Sequence, residues 1–229
     1  TSPFHLERFY TTFSRTKGQQ FAGMIITGAP VEQIPFSSVD YWEELEGIMD
    51  YIRTYVFSTL YICWGAQAGL YHHYGIDKYC LPDKMFGVFP HTVTDRLNPI
   101  FRGFDDVFYM PHSRHTELRI ADLEAASGLE LLAASDEAGV SILQDRKHNQ
   151  FFITGHMEYD ADTLAREYFR DIDKGISMPV PRNYFPGDDP AKPPQVRWRA
   201  HANLFFSNWM NFYVYQETPF ELENIGGHI

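Results

Sequence analysis

Apolar and polar positions along this chain follow two rhythms, one of buried strands and one of amphipathic helices. Phe21 to Thr27 (FAGMIIT) is an apolar run ending at Gly28-Ala29-Pro30, which predicts a buried strand that stops in a turn. From Asp40 to Tyr55 the spacing becomes helical, with Trp42, Leu45, Ile48, Met49 and Ile52 on one face and Asp40 placed as the N-cap. Ser58 to Ile62 (STLYI) predicts a second strand and Gly65 to Tyr74 the helix after it. Leu129 to Ser135, Val140 to Gln144 and Gln150 to Thr154 predict further strands, and Ala161 to Lys174 a further helix. Phe4 to Lys17 also reads as a helix, and Val196 to Tyr215 as a long closing one that brings Trp198, Phe205, Phe206, Trp209 and Phe212 to the core. Between them, Met178 to Pro194 holds six of the 14 prolines and predicts an irregular connection. Alternating near-continuous apolar strands and helices predict an α/β fold, a mostly parallel sheet covered by helices on both faces.

Composition narrows the function classes. With 229 residues, 44% hydrophobic, the chain can bury a sizeable core, and one domain over residues 1–229 is the expectation. The formal charge of −11 is spread along the chain, which argues against nucleic acid as a partner and leaves any anionic ligand to local Lys, Arg and backbone N–H groups. No apolar stretch approaches membrane-spanning length and no signal peptide is visible, so a cytoplasmic address is expected. Cys63 and Cys80 belong to no CxxC pair and are expected to be reduced thiols. The chain begins at Thr1 and enters a helix-like segment at once, which suggests that residues are missing upstream.

Cys63 stands where the strand Ser58 to Ile62 meets the helix starting at Gly65. A helix start offers unpaired N–H groups and a favourable dipole to an anion, so a thiolate there is stabilised, and the same N–H groups can hold an oxyanion. Gly65 and Gly69 clear side chains from the bend, as a nucleophile elbow requires. From position alone Cys63 reads equally well as a small buried apolar residue. Cys80, in Lys78-Tyr79-Cys80-Leu81-Pro82, has no strand before it and no helix after it and is given no role. After the strand at Phe151 to Thr154 come Gly155-His156-Met157-Glu158; in extended chain, His156 and Glu158 project to one side, where a carboxylate can fix the tautomer of an imidazole base. A metal site is not expected: adjacent His72 and His73 cannot both face one ion from a helix, and His112 with His115 lacks a third ligand of suitable spacing.

Four blocks carry a family resemblance: Gly23-Met24-Ile25-Ile26-Thr27-Gly28-Ala29-Pro30, Ile62-Cys63-Trp64-Gly65-Ala66-Gln67-Ala68-Gly69-Leu70, Pro111-His112-Ser113-Arg114-His115-Thr116 and Gly155-His156-Met157-Glu158-Tyr159-Asp160. From Phe4 to about Phe220 the chain resembles the homoserine O-acyltransferases of methionine biosynthesis, transsuccinylase type. The resemblance implies a three-layer fold similar to class I glutamine amidotransferases, a homodimer, and acetyl- or succinyl-coenzyme A and L-homoserine as substrates, with no cofactor. It makes Cys63 the acyl-accepting nucleophile, His156 the proton acceptor and Glu158 its partner, and it places Lys84, Ser113 and Arg170 at substrate-binding positions. Family members carry a further N-terminal segment before Phe4, which the resemblance implies is missing here.

Acyl transfer is then expected in two steps through acyl-Cys63, with N–H groups at Trp64 and near Gly28 and Ala29 as oxyanion candidates. Glu32 and Ser113 fall at positions that the family associates with acyl specificity. A Glu32 carboxylate facing the distal carboxylate of a succinyl group about 4 Å away, at an effective dielectric near 20, repels it by about 4 kcal/mol, roughly a thousandfold. Acetyl is therefore the expected acyl group, with succinyl the alternative. The runner-up activity is glutamine hydrolysis, since the same Cys, His and Glu order serves glutamine amidotransferases. Those enzymes usually carry glycine where this chain has Tyr61 and often proline where it has Met157.

Overall fold

A computed structural model of the protein describes residues 2–216 and is built around a seven-stranded sheet. Its strands are β1 (Phe21–Ile26), β2 (Val56–Ile62), β3 (Tyr79–Val93), β4 (Val107–Glu117), β5 (Leu129–Ser135), β6 (Gly139–Asp145) and β7 (Gln150–Ile153). They lie in the order β1-β2-β7-β6-β5-β3-β4. The helices are α1 (Pro3–Phe9), α2 (Trp42–Tyr55), α3 (Trp64–Tyr74), α4 (Ile120–Ala125), α5 (Thr163–Asp173) and α6 (Arg199–Asn208), and a π-helical turn over Trp209–Tyr215 continues α6.

Period-two alternation along the strands sorts the core into two halves. Leu60, Ile62, Phe151 and Ile153 face a cluster shared with Leu164 and Ala165 of α5, Phe205 of α6 and Trp209. Tyr61 and Phe152 between them face a second cluster with Trp42, Met49 and Ile52 of α2, Leu70 of α3 and Leu123 of α4. Helices thus cover both faces, giving the expected three layers. The sheet itself is mixed: β1 with β2 and β2 with β7 run parallel, whereas the remaining neighbours pair antiparallel. The hairpin β5-β6 and its return through β7 need only short turns, which antiparallel pairing permits.

Several boundaries differ from the sequence expectation. The Phe4 to Lys17 segment breaks after Phe9, where Tyr10 turns extended, and resumes only as a 3-10 turn over Phe13–Arg15. Helix α2 starts at Trp42 with Tyr41 at the N-cap, so Asp40 caps nothing; Glu43 and Glu44 in the first turn supply negative charge to the dipole instead. The long closing helix begins at Arg199 and widens into its π turn after Asn208. Strands β3 and β4 were not foreseen. Pro82, Gly87 and Pro90 in β3 argue against a strand, but β5 pairs β3 only at Thr92 and Val93, so most of that edge requires no donors from β3. Cys80 lies in β3 opposite Thr116 and is exposed.

Candidate active site

The turn between β2 and α3 forces Cys63 to φ 53°, ψ −120°, a conformation that a residue with a side chain adopts only under constraint from its surroundings. Its N–H donates to Ile153 O at 2.6 Å, tying the turn to the end of β7. Close packing fixes it from the other side. A Cβ on Gly65 would stand 2.8 Å from the carbonyl oxygens of Ile26 and Thr27, and one on Gly28 would stand 3.2 Å from Cys63 Cβ. A Cβ on Gly69 would meet Phe152 and Tyr61 at 2.9 Å, so both elbow glycines answer to contact rather than to backbone freedom. Trp64 opens α3, and its N–H, in the first turn, has no acceptor within the helix.

His156 follows β7 in a turn rather than in extended chain, and its N–H donates to Pro111 O of β4 at 2.8 Å. The turn, not strand alternation, brings Glu158 round so that its Oε1 lies 2.6 Å from His156 Nδ1. Tyr159 stacks on the imidazole with ring centroids 4.1 Å apart, an aromatic floor that the sequence did not announce. Burial pulls the His156 pKa down, but the charge of Cys63 and a hydrogen bond with it, joined by the bond and charge of Glu158, outweigh that and raise it to about 10. The sulfur and the carboxylate on either side therefore both favour the protonated imidazole.

Cys63 and His156 open on one cavity of about 950 Å³. Every residue singled out from the sequence lines it: Gly28, Ala29, Glu32, Cys63, Trp64, Lys84, Ser113, His156, Glu158 and Arg170. Helix α5 adds Glu167, which sequence reading missed. Lys84 Nζ lies 2.5 Å from Glu167 Oε1, and Ser113 Oγ donates to its two carboxylate oxygens at 2.8 and 2.9 Å. Arg170 is held by its neighbour Asp171 through two bonds of 2.7 and 3.0 Å. The signal that could have found Glu167 is its place one helical turn from Arg170 on the same face. Of the histidines considered for metal, His72 pairs with Asp50 at 2.8 Å and His112 bonds His91, while His115 lines the cavity.

A buried sulfur on a strained strand-to-helix turn, an imidazole beside a carboxylate and a cavity carrying both charges form the constellation found in covalent acyl transfer. The sequence profile of the homoserine O-succinyltransferase family matches residues 1–220. The chain belongs to that family. Homoserine O-acetyltransferase from Brevibacillus brevis is 59% identical over 98% of this chain and 73% of its own length. The enzyme of that name from Acetivibrio thermocellus is 58% identical over 96% of this chain and 72% of its own. Among solved structures, a glutamine amidotransferase from Thermotoga maritima superposes with TM-score 0.54 at 14% identity over 82% of this chain and 76% of its own. One from Methylobacillus flagellatus gives 0.57 at 13%, with the same coverage. At that identity the likeness is one of fold, and it agrees with the three-layer architecture of this homoserine O-succinyltransferase family member.

Proposed function

We propose that the chain is a homoserine O-acyltransferase that moves an acyl group, acetyl in preference to succinyl, from coenzyme A to the hydroxyl of L-homoserine through acyl-Cys63. The observation that carries this is the strained Cys63 turn sharing one cavity with the His156–Glu158 pair. The thiolate attacks the thioester carbonyl, and the N–H of Trp64 and those at Gly28 and Ala29 receive the oxyanion. The carbon–sulfur bond to coenzyme A breaks, and the imidazolium gives its proton to the departing sulfur. Formation of the new thioester removes the Cys63 charge that held His156 protonated, so the buried imidazole is left as a competent base. It then takes the homoserine hydroxyl proton as that oxygen attacks acyl-Cys63, and departure of the product ester restores thiolate and imidazolium.

Homoserine carries an ammonium and a carboxylate, and the cavity offers a matching pair of charges. Glu167 suits the ammonium, and Lys84 and Arg170 suit the carboxylate, with Ser113 between them. Acetyl is favoured because Glu32 lines the same cavity as Cys63 and because relatives above 55% identity bear the name homoserine O-acetyltransferase. A role in methionine biosynthesis, a cytoplasmic address and a homodimer, implied by the resemblance, belong to the same proposal.

Mass spectrometry of the protein mixed with acetyl- or succinyl-coenzyme A tests nucleophile and donor together. An acyl adduct on Cys63, absent from Cys63→Ala, and faster turnover with acetyl are expected. A fully active Cys63→Ala enzyme ends the covalent route, and a parent that favours succinyl ends the donor assignment.

A further inference from the structure

Next to Glu32 runs a row of buried polar side chains from β3 and β4 that the reaction steps do not use. Phe89 O can only accept, so His91 Nδ1 donates to it at 2.8 Å and leaves its Nε2 bare. His112 Nε2–H then donates to His91 at 3.0 Å, and the bare His112 Nδ1 accepts from Arg114 Nε at 3.3 Å. Burial keeps both imidazoles neutral, with His91 pulled down to about 4. Arg114 is therefore the fixed charge of the row, only 2% exposed. Its two terminal nitrogens donate to Thr116 O and Ala138 O, each at 2.5 Å. Among the described residues no carboxylate lies within ion-pair distance of Arg114.

The row ends at the donor-selecting group. Thr116 Oγ1 lies 3.0 Å from Gln67 Oε1 and 3.3 Å from Glu32 Oε2. One hydroxyl proton cannot serve both fully. With the Gln67 amide turned, its NH2 donates to Thr116 Oγ1 and the single hydroxyl proton is free to go to Glu32. Thr116 and Gln67 are buried, so bulk water offers neither a substitute partner. Burial lowers the Arg114 pKa, and the charges of Cys63, Glu117 and Glu32 counter it, so the guanidinium field reaches the Glu32 carboxylate.

Resting on the proposal that Glu32 chooses the acyl donor, we infer that Thr116 is a specificity-determining positioning residue. Its hydroxyl, on a strand residue clamped by Arg114, holds the Glu32 carboxylate against the acyl end of the cavity. A glutamate on the loop after β1 would otherwise turn toward water, where its charge no longer opposes a succinyl carboxylate.

The test is a double-mutant cycle read as the ratio of kcat/KM with acetyl-coenzyme A to that with succinyl-coenzyme A. General damage to the fold lowers both and leaves the ratio alone. Glu32→Gly should lower the ratio up to about a thousandfold. Thr116→Val, nearly isosteric but without the hydroxyl, should lower it about tenfold, the scale of one hydrogen bond to a charged group. Thr116→Ser should stay close to the parent, and Thr116→Val should add nothing on a Glu32→Gly background. Thr116→Ala repeats the measurement if valine prevents folding. A parental ratio in Thr116→Val or Thr116→Ala, while Glu32→Gly changes it, overturns the inference about Thr116. A parental ratio in Glu32→Gly overturns instead the reading of Glu32.

Discussion

Replacing Glu158 by glutamine removes one charge while keeping the side-chain shape. In the parent, the Glu158 carboxylate lies 2.6 Å from His156 Nδ1, with 37% of its side chain open to solvent. Coulomb's law at that separation gives about 6 kcal/mol at an effective dielectric near 20 and about 1.6 kcal/mol in bulk water. The exposure draws the value toward the lower figure, and hydrogen bonds to charged groups contribute about 1.5–3 kcal/mol net, so about 2 kcal/mol is at stake. Glutamine can still accept from Nδ1–H. What it cannot supply is the charge that stabilises the imidazolium formed as His156 takes the homoserine proton. Turnover should fall about thirtyfold, and the His156 titration should move downward. Release of free coenzyme A thiol at saturating substrates gives the first quantity, and NMR of histidine-labelled protein gives the second. A Glu158→Gln enzyme within about twofold of the parent, its imidazole titrating unchanged, would refute the account of the pair.

Two further outcomes concern the elbow and pH. Gly65→Ala sets a methyl 2.8 Å from two backbone oxygens of the β1 end, which cannot rotate away; overpacking of about 1–3 kcal/mol should lower Tm by roughly 3–10 °C and reduce turnover by moving the Cys63 turn. Gly47→Ala, in α2 with nothing within 4 Å, should instead stabilise by up to about 1 kcal/mol, and calorimetry separates the two. The raised His156 pKa contributes stability that is fully present below 6.5 and lost as pH rises through about 10. Urea denaturation across that interval should show the parent losing more stability than His156→Asn, and parallel curves would contradict the assignment.

The nucleophile and its bend were legible because chain order states them: an apolar strand, a cysteine, then Gly65 where the end of β1 leaves no room for a Cβ and Gly69 where Tyr61 and Phe152 leave none. His156 and Glu158 were legible as a pair for an incomplete reason, since a turn rather than an extended strand joins them. Glu167 was not, because its partners Lys84 and Ser113 come from strands distant in the chain, and Tyr159 was not, because only the turn after β7 folds its ring onto the imidazole three residues before it. β4 stayed hidden because His112, Arg114 and Thr116 look like surface residues until their mutual bonds are seen. Strand direction was hidden as well, since an apolar run carries no mark of whether its neighbour runs with it or against it.

No side chain of β4 reacts in the proposed chemistry, yet Pro111 supports the base, Ser113 the acceptor pocket and Thr116 the donor pocket. Blind mutagenesis scored by growth would rank this strand beside Cys63, because one displaced backbone would misplace three unrelated contacts together. Varying the two substrates independently is what would tell such a frame from a reactive group.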